Sequence, residues 1–465
     1  KRFLYSGRFL LFSYFFAIIA VGTVLISLPA AWPGPGRVAF VDALFTATSA
    51  ACVTGLYTIN TPDYSLFGRL VIMTLIEAGG LGIVTFSTIY LWRRRARVSL
   101  RNRELIRGYS LETVEVNPRR IIRAIILWAV SLQAIGAVAL YVGFSRAGME
   151  APVFTSAFHA TSAFFNAGFS LNPDSLESFG TAPLVTGTVM ALIVFGGIGF
   201  VVLEEVRKRL LGRSIRLTLH TRIVLSATAF LIIVGTVGYL VLVPAELFPG
   251  SAAAEASTAA EASMEGASSG AERAVGLRIF NALFQSITTR TAGFNTIPQG
   301  DLPLPAQFFT LVLMLIGGAP GSAAGGLKVT TVLVVVAAAL TGTDRQGELQ
   351  LGRRRVAPGT VANAFAFAMK GLLLLFAAVF LLLLVQRVVP QGEWGFIDVV
   401  FEAFSAFGTV GLSTGITPEL SGPAKLVIIA TMIAGRLGLI SLVMPVNRRE
   451  KRHAIDYPRG RVLIG

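Results

Sequence analysis

The sequence predicts an all-α polytopic membrane protein of four tandem repeats around one pseudo-fourfold axis, each repeat a span, a re-entrant half-helix and a second span. Three observations carry this prediction. The 465 residues are 54% hydrophobic and 14% charged, with mean hydropathy +0.70, which leaves too little polar surface for a soluble globule of this size. A twelve-residue pattern ending in Gly and a large apolar residue occurs four times: FTATSAACVTGL (Phe45 to Leu56), FHATSAFFNAGF (Phe158 to Phe169), LFQSITTRTAGF (Leu283 to Phe294) and FEAFSAFGTVGL (Phe401 to Leu412). The copies recur roughly every 115 residues, and repetition at a fixed period is an architecture. Finally, most of the 40 Lys and Arg residues fall in the N-terminus, in segments 93–123, 207–222 and 345–355, and in the tail after Val446. Basic residues mark the cytoplasmic side, so the net charge of +15 reads as topology and not as nucleic-acid binding.

Apolar runs long enough for a hydrocarbon core of about 30 Å, which takes about 20 residues, lie near 9–31, 66–92, 121–144, 183–203, 221–243, 306–340, 361–385 and 423–446. These are eight transmembrane helices, M1 and M2 of each repeat. Repeat 1 covers 1–110, repeat 2 covers 111–215, repeat 3 covers 216–355 and repeat 4 covers 356–447, with a basic cytoplasmic tail at 448–465. After each M1 comes an apolar stretch, such as 38–51 or 396–406, of only about 12 to 14 residues. That is too short to cross the bilayer and reads as a re-entrant pore helix. The Gly motif follows, then a proline within seven residues (Pro62, Pro173, Pro298, Pro418) that cannot continue a helix and turns the chain outward.

M2 and a basic segment close each unit. Every unit crosses twice, so all four share one orientation and both termini are expected in the cytoplasm. The first apolar run is too long for a signal peptide and reads as M1 of repeat 1. The outer connections carry more acid than base, including Asp42, Asp63, Asp174, Asp301, Asp398, Glu402 and Glu419, and an acidic outer surface raises the local cation concentration. Residues 251–275, rich in Ala, Ser and Glu, interrupt repeat 3 and read as an extracellular, solvated turret without fixed structure.

Rings of backbone carbonyls can replace the hydration shell of K⁺, and Gly lets a strand adopt the conformations that aim them inward. One Gly in a loop is an ordinary turn. Four copies, each after a half-helix and before a span, read instead as four walls of one filter. The half-helices point their partly negative carboxyl ends at the axis, which favours cations there. Each unit thus reads as M1, pore helix, filter, M2, as in K⁺ channels.

With these four motifs the chain resembles the KtrB/TrkH/HKT superfamily of potassium translocation subunits over essentially its whole length. The resemblance implies that the carbonyls of Val53, Thr54, Gly55 and Leu56, of Asn166, Ala167, Gly168 and Phe169, of Thr291, Ala292, Gly293 and Phe294, and of Thr409, Val410, Gly411 and Leu412 form the filter, with K⁺ held at those carbonyls only. Gly at all four filter positions implies a K⁺-preferring member. Without two extra N-terminal spans, the chain is expected to be most similar to the bacterial KtrB branch.

M2 of repeat 3 reads LMLIGGAPGSAAGGLKVTT (Leu313 to Thr331). Its Gly317, Gly318, Pro320, Gly321, Gly325 and Gly326, with Ala319 and Ser322 between them, cannot sustain a regular helix. Broken backbone at that depth is tolerated where it lines a wet cavity or is buried in protein, and the resemblance implies an intramembrane gating loop. A nucleotide-binding P-loop is disfavoured because Lys328 is followed by Val329. Arg436, in the last span, is a charge that costs at least ~2.5 to 3.5 kcal/mol unless it faces water or a partner. It is expected to face the pore, and the resemblance implies an arginine below the filter that opposes cation passage; a salt bridge to Glu77 or a side chain snorkelling to the interface is the alternative. Arg290, inside the third motif, is expected to brace the filter from behind, since a cation on the axis would repel K⁺, with Glu77 as candidate partner. Only the third M2 is expected to be ruptured and only the fourth to carry an arginine, which assigns gating to two units.

The single Cys52 cannot form an internal disulfide. His159, His220 and His453 are scattered, no nucleophile and base are positioned together, and no enzymatic site is visible. His159 reads as a hydrogen-bonded scaffold residue. The expected function is passive, gated K⁺ uptake through a multi-pass protein of the bacterial plasma membrane, with no covalently bound cofactor. The rival is a secondary transporter coupling K⁺ to Na⁺ or H⁺, which would favour inverted repeats and midplane ionisable residues. The resemblance further implies a homodimer, a cytoplasmic ring of nucleotide-binding RCK subunits of the KtrA type, and Na⁺ as modulator.

Overall fold

The computed structural model describes residues 7–438, apart from 96–117, 213–215, 251–263 and positions 151, 345–346, 352–353, 390–391 and 393. The basic tail, His453 and most of the basic segment after the second apolar run therefore lie outside the described residues. The helices are α1 (Gly7–Ile26), α2 (Phe40–Cys52), α3 (Leu66–Arg95), α4 (Pro118–Arg146), α5 (Val153–Phe165), α6 (Pro183–Ile198), α7 (Phe200–Leu210) and α8 (Leu219–Leu242). They continue with α9 (Met264–Thr288), α10 (Leu304–Leu315), α11 (Val329–Thr341), α12 (Pro358–Val388), α13 (Phe396–Gly408) and α14 (Gly422–Ile433), which runs into a π turn at Ala434–Gly438. A small hairpin, β1 (Leu349–Leu351) and β2 (Arg354–Val356), lies between α11 and α12 with Leu349 opposite Val356.

Among the described residues, three unbroken helices are long and apolar enough to cross a bilayer: Ile122–Arg146 of α4, α8 and α12, with mean hydropathy 2.1, 2.2 and 2.6 over their most apolar windows. Only 22%, 28% and 22% of those windows is buried. Residues such as Ile135, Val138, Phe230, Phe376 and Phe380 thus point outward. Hydroxyls, among them Thr46, Ser49, Ser162, Thr288 and Ser405, occupy the buried centre. Apolar surface outside and polar groups inside fit a hydrocarbon solvent, and the fold is that of an all-α membrane protein.

α2, α5 and α13 have 13 residues each, about 20 Å of helix at 1.5 Å per residue, less than a bilayer core. The packing runs in a circle. α3 lies against α5, α6 against α9, α10 against α13 and α14 against α2, so each of these four helices meets the short helix, or helix end, that follows in the cycle. The last link joins the fourth motif's following helix to the first motif's short helix, and Lys425 Nζ of α14 closes it on Asp42 Oδ1 of α2 at 2.7 Å.

Two expectations need correction. The 183–203 run is not one continuous span: α6 and α7 meet at Gly199, φ 93°, with a bend of 101°. The α10–α11 interruption, 316–328, is therefore not the only break. FGGIGF reads as uninterrupted apolar sequence, and the break becomes visible only where Gly199 adopts a left-handed conformation open to glycine. The Ala/Ser/Glu-rich insertion is also not unstructured throughout, because α9 starts at Met264 and continues into the third motif. Its 264–275 portion propagates a helix already nucleated by the packed segment that follows.

Candidate functional site

All four motifs end their short helix in the same backbone conformation. Val53, Asn166, Thr291 and Thr409 have φ of 57°, 59°, 69° and 51°, and the glycine two residues on, Gly55, Gly168, Gly293 or Gly411, has φ of 94°, 71°, 77° or 93°. Three of the four leading residues are β-branched, a type for which left-handed backbone costs of order 1–3 kcal/mol and persists only when the surroundings enforce it. The residue between them, Thr54, Ala167, Ala292 or Val410, does not have positive φ, so the sign of φ alternates along each segment.

The surroundings that enforce this are hydroxyls on the preceding helix. Ser49 Oγ accepts from Gly55 N at 3.1 Å, and Ser405 Oγ accepts from Gly411 N at 3.0 Å. Ser162 Oγ donates to Phe169 O at 2.7 Å, and Thr288 Oγ1 donates to Phe294 O at 2.5 Å. These clamps were not singled out from sequence, although Ser recurs at one position in three of the four motif copies.

The four glycines form a closed ring. A Cβ on Gly55 would meet Ala167 O at 2.5 Å and Gly168 Cα at 3.0 Å; on Gly168 it would meet Ala292 O at 2.9 Å and Gly293 Cα at 3.0 Å; on Gly293, Val410 O at 2.5 Å and Gly411 Cα at 3.1 Å. From Gly411 it would run into Thr54 O and Gly55 Cα. Each glycine thus faces the next segment's backbone, and no larger residue fits without opening the ring.

Beside this ring lies the 316–328 interruption. Gly317 N donates to Leu327 O at 2.8 Å and Val329 N to Gly318 O at 3.2 Å, which folds the segment into a closed loop. A Cβ at Gly325 would collide with the Thr409 side chain, and one at Gly326 would reach Gly408 O at 3.3 Å, so the loop lies against the fourth motif segment. Gly321 has φ 77° and open space around it. Pro320, Ala319 and Ser322 form the turn, with Ser322 Oγ donating to Ala319 O at 2.7 Å. Arg436, 2% exposed in the π turn, donates from Nη1 to Ala323 O of this loop, and its Nε and Nη2 are buried without a hydrogen-bond partner among the described residues. Lys328 Nζ reaches Ala324 O at 2.5 Å. Two cations thus meet one loop, each through a loop carbonyl.

The remaining candidates part company. Arg290 is 8% exposed, and its Nη2 donates to Thr228 Oγ1 on α8 at 3.2 Å while its own carbonyl accepts from Asn166 Nδ2 at 3.4 Å. Among the described residues Glu77 pairs with neither arginine, and the expected partnership is corrected accordingly. Arg290 instead meets Thr228 and Arg436 meets Ala323.

Glu402 is not a solvated outer carboxylate. It is fully buried in α13, accepting from Ser413 Oγ and, at 2.8 Å, from Thr417 Oγ1, so it pins the chain leaving the fourth motif. Its neighbourhood in FEAFSAFG, apolar on both sides, was the available signal. His159 is buried between Thr155 O (2.8 Å) and Ser170 Oγ (3.0 Å), a hydrogen-bonded scaffold residue as expected. Cys52 is buried and free.

The sequence matches the TrkH cation transport protein family over residues 15–451. The chain belongs to this family. It is 35% identical to the Ktr system potassium uptake protein B of Vibrio alginolyticus, over 97% of this chain and 93% of the relative, and 34% identical to that of Bacillus subtilis, over 97% and 95%. It is 35% identical to the potassium/sodium uptake protein NtpJ of Enterococcus hirae over 97% of this chain and 95% of that one. The crystal structure of TrkH from Vibrio parahaemolyticus superposes with TM-score 0.64, covering 92% of this chain and 83% of that one at 19% identity, a likeness of fold.

Proposed function

We propose that this TrkH family member is the pore-forming subunit of a bacterial K⁺ uptake system, conducting passively through a filter of backbone carbonyls from four M1-P-M2 repeats. The observation that carries the reading is the ring of Gly55, Gly168, Gly293 and Gly411, each with positive φ and each facing the next segment. Backbone carbonyls of four adjoining segments can stand in for the water around K⁺. The loop at 317–326 together with Lys328 and Arg436 is the gate: it lies against the fourth segment, and the half-buried Lys328 and buried Arg436 oppose passage until it moves. Arg290 braces segments two and three from outside the ring through Asn166 and Thr228.

Homodimeric assembly, regulation by a cytoplasmic nucleotide-binding subunit of the KtrA type and modulation by Na⁺ complete the reading. The Ktr relatives' names, which speak of a system, support a partner subunit. Coupled symport is the second reading, favoured by the potassium/sodium name of the Enterococcus relative. Gly168→Ser separates a filter from a scaffold. A Cβ there meets Ala292 O at 2.9 Å, so K⁺ preference over Na⁺ should fall about tenfold, equivalent to about 1.4 kcal/mol. Reversal potentials in K⁺ and Na⁺ gradients read it out, and unchanged values would remove the filter assignment.

A further inference from the structure

The gate loop rests on a second element that the conduction reading leaves without a role. α7 leaves α6 at 101°, so if α6 runs along the bilayer normal, α7 lies nearly in the membrane plane at the basic, cytoplasmic end of the bundle. One face of α7 seats the loop. Val202 is packed with Ala319, Val329, Val224 and Ala227 in a single apolar cluster. The backbone joins them too: Phe200 N donates to Gly321 O at 3.5 Å, Ala319 N to Gly197 O at 2.9 Å and Ala323 N to Gly196 O at 3.4 Å. Glu205 fixes the other flank by accepting from Thr218 and Thr221 at the start of α8.

The free end of α7 has a different character. Leu210 is 82% and Leu211 55% exposed, beside Arg207 and Lys208, whose side chains are 42% and 39% exposed. Both cations share the one carboxylate of Glu204, at 2.7 and 3.9 Å, which leaves an excess of positive charge. Exposed leucines beside basic residues on a helix lying in the plane of a bilayer are the pattern of an interfacial anchor, apolar side chains at the acyl boundary and cations among headgroup phosphates. The cytoplasmic leaflet supplies anionic headgroups that attract basic residues held near the surface.

We propose that α7 binds anionic phospholipid headgroups through Arg207 and Lys208 while Leu210 and Leu211 enter the acyl boundary, and that this anchorage holds the loop at 317–326 seated against the glycine ring. Release of α7 from the surface unseats the loop through Val202 and the 196–200 backbone. The gating part of this inference rests on the loop being the gate; the anchorage does not.

The test uses the full chain in vesicles of phosphatidylcholine with or without phosphatidylglycerol. Leu210→Cys carries a nitrobenzoxadiazole fluorophore, the chain's other thiol, Cys52, being buried. Doxyl-labelled lipid should quench the probe in phosphatidylglycerol vesicles, and the added pair Arg207→Gln with Lys208→Gln should abolish that quenching. The same pair should raise ⁸⁶Rb⁺ entry several-fold over the unsubstituted chain in phosphatidylglycerol vesicles and leave it equal in neutral ones. A probe that stays in water in both lipids, as a face reserved for a protein partner would, overturns the proposal. So does an equal effect of the pair on flux in both lipids, or inorganic phosphate reproducing the lipid effect in neutral vesicles. Absence of Rb⁺ entry for every chain in every lipid would instead count against conduction itself, while the quenching still decides the anchorage.

Discussion

At the scale of single residues, the site depends on hydroxyls that hold strained backbone. Removing Ser162 Oγ takes one hydrogen bond from Phe169 O inside a fully buried segment, and a net loss of about 0.5–1.5 kcal/mol is expected. Ser162→Ala should therefore lower the thermal midpoint in detergent modestly while widening ion selectivity measured by reversal potential; a change in midpoint alone would reduce Ser162 to a packing residue. Arg436 has the opposite character: its Nη1 holds the loop and its other donors find no partner among the described residues. Arg436→Ala should raise ⁸⁶Rb⁺ flux several-fold in the absence of any partner subunit, and equal or lower flux would deny it a gating role.

The motif glycines were legible from sequence because four copies at a common spacing outweigh the ambiguity of one. Glu402 and the serine clamps were not. A carboxylate in an outer connection reads as solvated until a neighbouring turn, here Ser413 to Thr417, folds over it. A serine in an apolar helix carries no sign of which backbone group it will meet.

At the scale of elements, length and composition served well where a helix must be short or must end. Thirteen-residue α2, α5 and α13 follow from apolar stretches bounded by glycine motifs, and the 316–328 interruption follows from Pro320 and its glycines. The bend at Gly199 escaped because a glycine within an apolar run is compatible with a straight helix until tertiary contacts draw it into positive φ. The loop and the bend are hydrogen-bonded to each other, so they form one device. Shortening the chain between Gly318 and Gly326 should raise partner-independent flux, and if Rb⁺ uptake stayed constant the loop would be a packing feature. The contact of α14 with α2 is testable separately. Asp42 and Lys425, 19% and 14% exposed, should show a coupling of about 1 kcal/mol in a double-mutant cycle of thermal stability, and additive single effects would mean the ring closes without this pair.

At the scale of the whole molecule, the arrangement explains how one chain can make a fourfold site without being symmetric. Backbone conformation is shared by all four segments, whereas among the described residues Arg436, the loop, the Gly199 bend and Arg290 each occur once. Shared backbone suits a task done by carbonyls, and unique side chains suit tasks that need one mover. Membership of the TrkH family and near full-length similarity to Ktr potassium uptake proteins agree with a role in K⁺ transport.

The most direct test of conduction through the glycine ring is ⁸⁶Rb⁺ entry into proteoliposomes of the purified chain under an imposed inside-negative potential, with K⁺ or Na⁺ as competitor. Entry that follows the potential without a Na⁺ or H⁺ gradient, suppressed by K⁺ at far lower concentration than by Na⁺, is the expected result. Entry that requires a Na⁺ or H⁺ gradient, or that K⁺ and Na⁺ suppress equally, would contradict it.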